Sequence, residues 1–294
     1  MKRKAPLLLW LSAILLSQCQ PKEVEISCEA NQVNFDFENS LQHWVDTGGS
    51  GESAFENDIT QSKEFAANGE HSVKFTVSPE SYVANGNRAE LTYDDGAVAG
   101  EEKWYSWKTL IPSNYPDAPM RDAEFEPNWQ LMGQWHQQPV VQDGETWENF
   151  TGQGESPSVG INYYYLAAND SDYQNLKKDE KMLAVPGFDP SWDDVSVFFL
   201  TYGTPPVPVA ITQIEKGQWI DVLVNIHWSE GEEGYIRTWI NGEEITDGKT
   251  YGPNMWNRAS HYFKFGLYKN PDIPHTNIVY YDDVKIGYCR EEVE

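Results

Sequence analysis

The sequence predicts a single all-β sandwich with few or no helices, and three observations carry that expectation. Short runs of alternating apolar and polar residues recur from Asn34 to Tyr288. Clusters of Gly, Pro, Asn and Asp separate them, the pattern of strands joined by turns. No composition shift and no internal repeat marks a second domain; 294 residues is long for one unit, but single sandwiches reach this size.

In chain order the clearest strands are 73–77, 89–93, 104–111, 129–135, 159–166, 195–200, 219–228, 235–240, 261–268 and 279–288. In the seventh, Ile220, Val222, Val224, Ile226 and Trp228 fall at every second position. Asp221, Asn225 and His227 take the other face, which is period two. Asn241-Gly242, just after the eighth, is a strong two-residue turn signal. The charged segment 170–181 reads as one short helix or a loop. Segments 137–158 and 184–194, rich in Gly, Pro and Asp, read as loops over one end or face.

Ahead of this body lies an export signal, so the chain divides into a leader at 1–18, a tether at 19–27 and one folded domain at 28–294. Lys2, Arg3 and Lys4 precede an apolar run at 5–17 that is too short to span a bilayer. Ser17-Gln18-Cys19 then resembles a bacterial lipoprotein box. This predicts lipidation at Cys19 and a membrane tie through that anchor alone, at the cell surface or in the periplasm. Ordinary signal cleavage and secretion is the alternative. Export permits disulfides, and the two remaining cysteines, Cys28 and Cys289, bracket the folded region. They are expected to bridge; the alternative is two unpaired thiols.

The formal charge of −25 argues against nucleic acid as a partner, because that affinity rests on Lys and Arg. It also demands a locally basic groove if the ligand is a polyanion. The 12 Trp and 16 Tyr suit stacking on sugars and equally suit a sandwich core.

Three segments carry polar side chains that alternation gathers on one strand face. In Tyr262-Phe263-Lys264-Phe265-Gly266-Leu267-Tyr268, the residues Phe263, Phe265 and Leu267 face the core. Tyr262, Lys264, Gly266 and Tyr268 face outward, and Gly266 leaves a gap where a sugar ring fits. In the strand ending Gln134-Trp135-His136, Gln134 and His136 share a face with Gln130 and Met132, opposite Trp135 and Leu131. In Asn87-Arg88-Ala89-Glu90-Leu91, Arg88 and Glu90 share a face. An Arg in a cleft binds a carboxylate through paired hydrogen bonds; the plain alternative is a surface ion pair.

In that order the three segments resemble the Arg-x-Glu-Leu, Gln-x-His and Tyr-Phe-Lys-x-Gly-x-Tyr strands of jelly-roll alginate lyases. Glucuronan lyases and heparinase-type lyases share the fold and a similar Lys…Tyr strand. Trp135 within Gln-x-His and Lys269-Asn270 after Tyr268 depart from the alginate lyases, and the Gln134-Trp135-His136 form with the framework of Trp219, Trp228 and Trp239 looks more like the glucuronan and heparinase-type branch. The resemblance implies a concanavalin-like jelly roll. It also implies cleavage of a uronic-acid polysaccharide, glucuronan- or ulvan-like before alginate, by β-elimination.

On that resemblance Arg88, Gln134 and Asn87 hold the uronate carboxylate. Tyr268 protonates O4, and either His136 or Tyr268 takes the C5 proton. Lys264 is expected to lower the Tyr268 pKa by favouring phenolate. Glucuronate and mannuronate present the C5 proton and O4 on the same side, so Tyr268 can serve alone. Guluronate and iduronate present them on opposite sides and need His136. The chemistry requires no cofactor. Glu38 and Asp283, with Asp282, are expected to clasp a structural Ca²⁺ if the end strands meet. The expected partner is an anionic polysaccharide and the expected state a monomer. Two rivals stand beside this reading. Asp122, Glu124 and Glu126 alternate as a glycoside hydrolase's carboxylates do. A non-catalytic sugar-binding module also explains the aromatics and the anchor.

Overall fold

The computed structural model describes residues 33–118, 128–152 and 157–294. Its first half contains β1 (Val33–Phe35), α1 (Leu41–Asp46), β2 (Ser50–Ser53), β3 (Ile59–Ser62), β4 (Ser72–Val77), β5 (Tyr82–Val83), β6 (Gly86–Ala97), β7 (Glu102–Leu110), β8 (Gln130–Gln137) and β9 (Val159–Leu166). Then follow α2 (Ser171–Leu176), α3 (Glu180–Leu183), β10 (Val195–Tyr202), β11 (Val207–Ile214), β12 (Trp219–His227), β13 (Tyr235–Ile240), β14 (Glu243–Glu244), β15 (Thr250–Tyr251), β16 (His261–Lys269) and β17 (Asn277–Gly287). Each strand expected from the sequence is present, with ends moved by a few residues. The charged segment after β9 folds as α2 and α3, each opened by an Asp side chain that accepts backbone N–H bonds.

The strands form two antiparallel sheets. One runs β14-β13-β12-β7-β17-β4-β3, with β1 on β17 and β15 on β13. The other runs β11-β10-β9-β8-β16-β6-β2, with β5 on β6. Between them lies an aromatic-rich core. Val222, Val224, Phe75, Trp107 and Tyr281 come from the first sheet, and Phe263, Phe265, Leu267, Trp135 and Ile161 from the second. The fold is thus the jelly-roll sandwich expected from the sequence. Asn241 and Gly242 both take positive φ in the two-residue turn between β13 and β14, as their side chains permit.

Two local departures from strict alternation bear on the outer face of the second sheet. In β8 the register shifts between Leu131 and Gly133. Met132 joins Trp135 in the core, and Leu131 rather than Met132 falls beside Tyr268. In β16, Gly266 has φ 133° and lies against β6, where a Cβ would meet the Ala89 carbonyl and the Glu90 Cα at 2.9 Å. Gly266 therefore serves a close backbone approach to β6.

The end strands do meet, since β1 pairs with β17. Their carboxylates are already engaged by N–H donors. Glu38 accepts from the Glu70 and His71 amides at 2.9 and 2.7 Å and contacts His71 Nδ1. Asp283 bonds the Asn68 amide, and Asp282 accepts from the Ala67, Asn68 and Asp283 backbones. These oxygens tie down the 67–71 loop and so bring Glu38, Asp282 and Asp283 to one segment of the chain. Among the described residues no group of three or more His, Cys, Asp or Glu has a metal-holding arrangement. Cys289 is disulfide-bonded; Cys28, Cys19, the leader and the tether lie outside the described residues, as do Asp122, Glu124 and Glu126.

Candidate active site

The second sheet has an outer face of two unlike halves. Over β9, β10 and β11, the residues Leu166, Val197 and Ile211 are buried under Tyr173, Met182 and Val185 of the α2–α3 segment. Over β8, β16 and β6 the outer face stays open as a cleft of about 1080 Å³. Arg88, Gln134, His136, Tyr262, Lys264 and Tyr268 line it. Sheet order explains the gathering. β16 lies between β8 and β6, pairing Tyr262 with His136, Lys264 with Gln134 and Tyr268 with Arg88. Chain segments far apart in sequence become immediate neighbours.

At the cleft floor two cations meet two carboxylates. Lys264 Nζ lies 2.7 Å from Glu52 and 3.2 Å from Glu90. Arg88 Nη1 lies 3.1 Å from Glu52 and 3.5 Å from Glu90. Gln134 Nε2 donates to the other Glu90 oxygen at 2.5 Å. Burial alone would push the Glu52 carboxyl up; Lys264 and Arg88 outweigh it and hold the group below the usual carboxylate range. The locally basic groove demanded by the chain's charge is therefore a neutral cluster in the resting cleft.

Tyr268 closes one end. The Arg88 guanidinium carbon stacks 3.7 Å from its ring centre, a cation–π contact, and Trp129 packs against it edge-on at 4.5 Å. Gly86 makes room for this group: a Cβ there would lie 2.6 Å from the Tyr268 ring and 2.8 Å from Trp129. Arg88 Nη2 also donates at 2.6 Å to Ala84 O, in the hairpin where Ala84 and Asn85 both take positive φ. Burial raises the Tyr268 pKa, and Arg88 opposes the rise without cancelling it. The expectation that Lys264 favours phenolate is thus reversed. The Lys264 ammonium is committed to Glu52 and Glu90, and Tyr268 rests as a phenol.

At the other end stands His136. Its Nδ1 bonds the Gln137 carbonyl at 2.8 Å. A carbonyl only accepts, so Nδ1 carries the proton and Nε2 the lone pair. Desolvation pushes the imidazole pKa down to about 4, so the ring is neutral through the physiological range. It stacks on Tyr262 at 5.4 Å. Trp147, 53% exposed, stands over this end, and Tyr82, 58% exposed, over the Tyr268 end.

Asn87 is not part of this assembly. It points away from Arg88, is fully buried, and donates to Pro79 O at 3.2 Å. Glu52 is the residue that sequence reasoning missed, and Glu90 was seen only as a surface-pair partner for Arg88.

A polysaccharide lyase family model matches residues 39–285. Among solved structures, the chain is similar to an endo-β-1,4-glucuronan lyase from the fungus Trichoderma reesei, with 16% identity and a TM-score of 0.56. That match covers 83% of this chain and 92% of the other. It is also similar to alginate lyase Aly36B, with 12% identity, a TM-score of 0.53 and coverage of 87% and 96%. Cellulose induced protein Cip1 aligns at 12% identity and a TM-score of 0.50, over 87% of this chain and 97% of the other. At these identities the likeness is one of fold. A sequence comparison with curated proteins returns no match.

Proposed function

The chain belongs to the polysaccharide lyase family, and on that premise we propose that it cleaves a uronic-acid polysaccharide, glucuronan- or ulvan-like, by β-elimination in the cleft over β6, β16 and β8. One observation carries the reading: Arg88, Gln134, His136, Lys264 and Tyr268 line a single cleft. These are the groups that elimination from a uronate needs. The carboxylate must be neutralised so that charge developing at C5 spreads onto it. Donors preset for that charge contribute about 3–4 kcal/mol each. Arg88, Lys264 and the Gln134 amide are the donors here. Tyr268 delivers a proton to O4 as the C4–O4 bond breaks, and the C5 proton leaves to a base.

For a glucuronate, Tyr268 serves as that base too: having lost its resting proton to solvent, it enters the step as phenolate with Arg88 on its ring as the stabilising cation, takes the C5 proton and passes that same proton to O4. A second reading has His136 as the base, acting on an iduronate or guluronate. Its support is the Gln137 carbonyl bond, which leaves Nε2 unprotonated. Export and lipid anchoring at Cys19 belong to the same proposal, since a polymer substrate is met outside the cell.

The test is a panel of glucuronan, ulvan, alginate and heparin-type polymers, followed by ultraviolet absorbance of the unsaturated product. Glucuronan or ulvan should give the fastest rise. Turnover of alginate alone would overturn the glucuronate assignment, and polymer shortening without absorbance would overturn β-elimination.

A further inference from the structure

Glu52 is an unusual residue for its place. It lies on β2, the edge strand beside β6, directly opposite Glu90. Like charges paired across strands destabilise a sheet; here Arg88 and Lys264 stand between them. The two carboxylates are not equivalent. Glu90 is buried, also holds Gln134, and lies 3.2 and 3.5 Å from the cations. The Glu52 side chain is 35% exposed, yet makes the closer contacts, 2.7 and 3.1 Å. The Lys264 side chain is only 4% exposed. Glu90 is the buried counter-charge, and Glu52 is the outer carboxylate that covers both cations.

We infer that Glu52 occupies, in the resting cleft, the position of the substrate's own carboxylate, and that it must withdraw for a uronate ring to seat. The exchange replaces one carboxylate by another on the same two cations. It therefore yields little net binding energy to a lone uronate or a small anion. Affinity must then come from sugar contacts along the cleft, where Trp147 and Tyr82 stand exposed at either end. Glu52 thus acts as a specificity-determining residue that favours polymer over short acid, a role that rests on the uronate reading of the cleft.

The decisive variant is Glu52→Gln, which keeps the side-chain shape and removes the competing charge. KM for the polymer should fall about tenfold without a rise in kcat, and short glucuronate oligomers should bind about tenfold tighter by calorimetry. Their binding should also become more sensitive to salt, because an uncompensated cation is exposed. An unchanged or higher KM with a lower kcat would overturn the inference, because Glu52 would then only position Lys264. Thermal unfolding of the variant checks its fold. Should it not fold, Glu52→Asp keeps the charge on a shorter arm, and its KM should also fall; an unchanged or raised KM there overturns the inference. Failure of the lyase reading is separable. A wild-type protein that yields no unsaturated product refutes that reading, while oligomer affinities of wild type and variant still decide the role of Glu52.

Discussion

The two halves of the second sheet's outer face belong to one continuous sheet and have opposite fates. Over β9–β11 the outward positions are apolar, as at Val197 and Ile211, and a short helical segment buries them. Over β8, β16 and β6 the outward positions are Gln134, His136, Lys264, Tyr268, Arg88 and Glu90, and the face remains open. The inner positions of both halves fill one core. Inner residues therefore decide that a sandwich forms, and outer residues decide which part of it works. The covered half supports the fold beside the cleft, while the open half carries buried charges that stability alone does not require. A buried ion pair often contributes no more than well-packed apolar residues would.

The strongest break of this comparison is made in the open half. Tyr268→Phe removes only the phenol oxygen, which makes a long 3.5 Å approach to Ala84 O and interacts with the Arg88 side chain. The fold should survive, and turnover should fall about 10³-fold, within the range for a lost acid–base group. His136→Ala should retain measurable turnover on a glucuronate polymer. The pH–rate profile sharpens the assignment. If Tyr268 is the base, its raised pKa makes the rate climb through the alkaline range. If His136 is the base, its pKa near 4 makes the rate level from about pH 5 upward. Equal total loss in both variants, with a level profile, would remove the single-residue mechanism.

A change in the covered half should have the converse signature. Met182 is 5% exposed and packs with Tyr173, Val185 and Val197. Met182→Ala should cost about 2–4 kcal/mol in denaturant unfolding through the cavity it leaves. KM and kcat of the folded fraction should stay within about twofold, since the residue does not line the cleft. A loss of kcat as large as that of Tyr268→Phe would mean the two halves are not separable.

The sequence made the open half partly legible because period two marks outward polar residues whatever their role. Arg88, Gln134, His136, Lys264 and Tyr268 were identified in this way. The same rule places Asn87 opposite Arg88, and the resemblance alone had put them together. The Leu131–Gly133 register shift was invisible, since no residue type compels a bulge there. Glu52 was hidden for two reasons. Ser50-Gly51-Glu52-Ser53 has no apolar alternation, as an exposed edge strand needs none. Its partners Arg88 and Lys264 lie 36 and 212 positions away. β11 was missed because Pro208 interrupts its run; Pro is tolerated there at an edge beside a register shift.

The smallest expected effect is a pH dependence of stability that involves both faces of the sheet. His136 in the cleft and His261, stacked on Trp228 at 4.4 Å, are held neutral by desolvation, with pKa values near 4 and near 3. Unfolded, each titrates near 6.5. Between those values the unfolded chain binds protons that the fold refuses, so stability must fall as pH drops below about 6.5. Asp282 opposes this. Burial raises its pKa from 3.8 to about 6, so it binds its proton more readily when folded and gains stability as pH falls through 6. Burial raises Asp58 and Asp95 in the same sense, and the two histidines, with the larger shifts, set the sign. Glu52, held low by its cations, loses its contribution only once pH falls below its unfolded value of 4.5. Stability by denaturant unfolding should therefore decline by about 1–2 kcal/mol from pH 7 to pH 5. His136→Gln should flatten part of that decline, while the His261 share remains in the core. A stability that holds level or rises over the same interval would show that the imidazoles are not kept neutral, and with them the unprotonated Nε2 of His136 would be lost as a base.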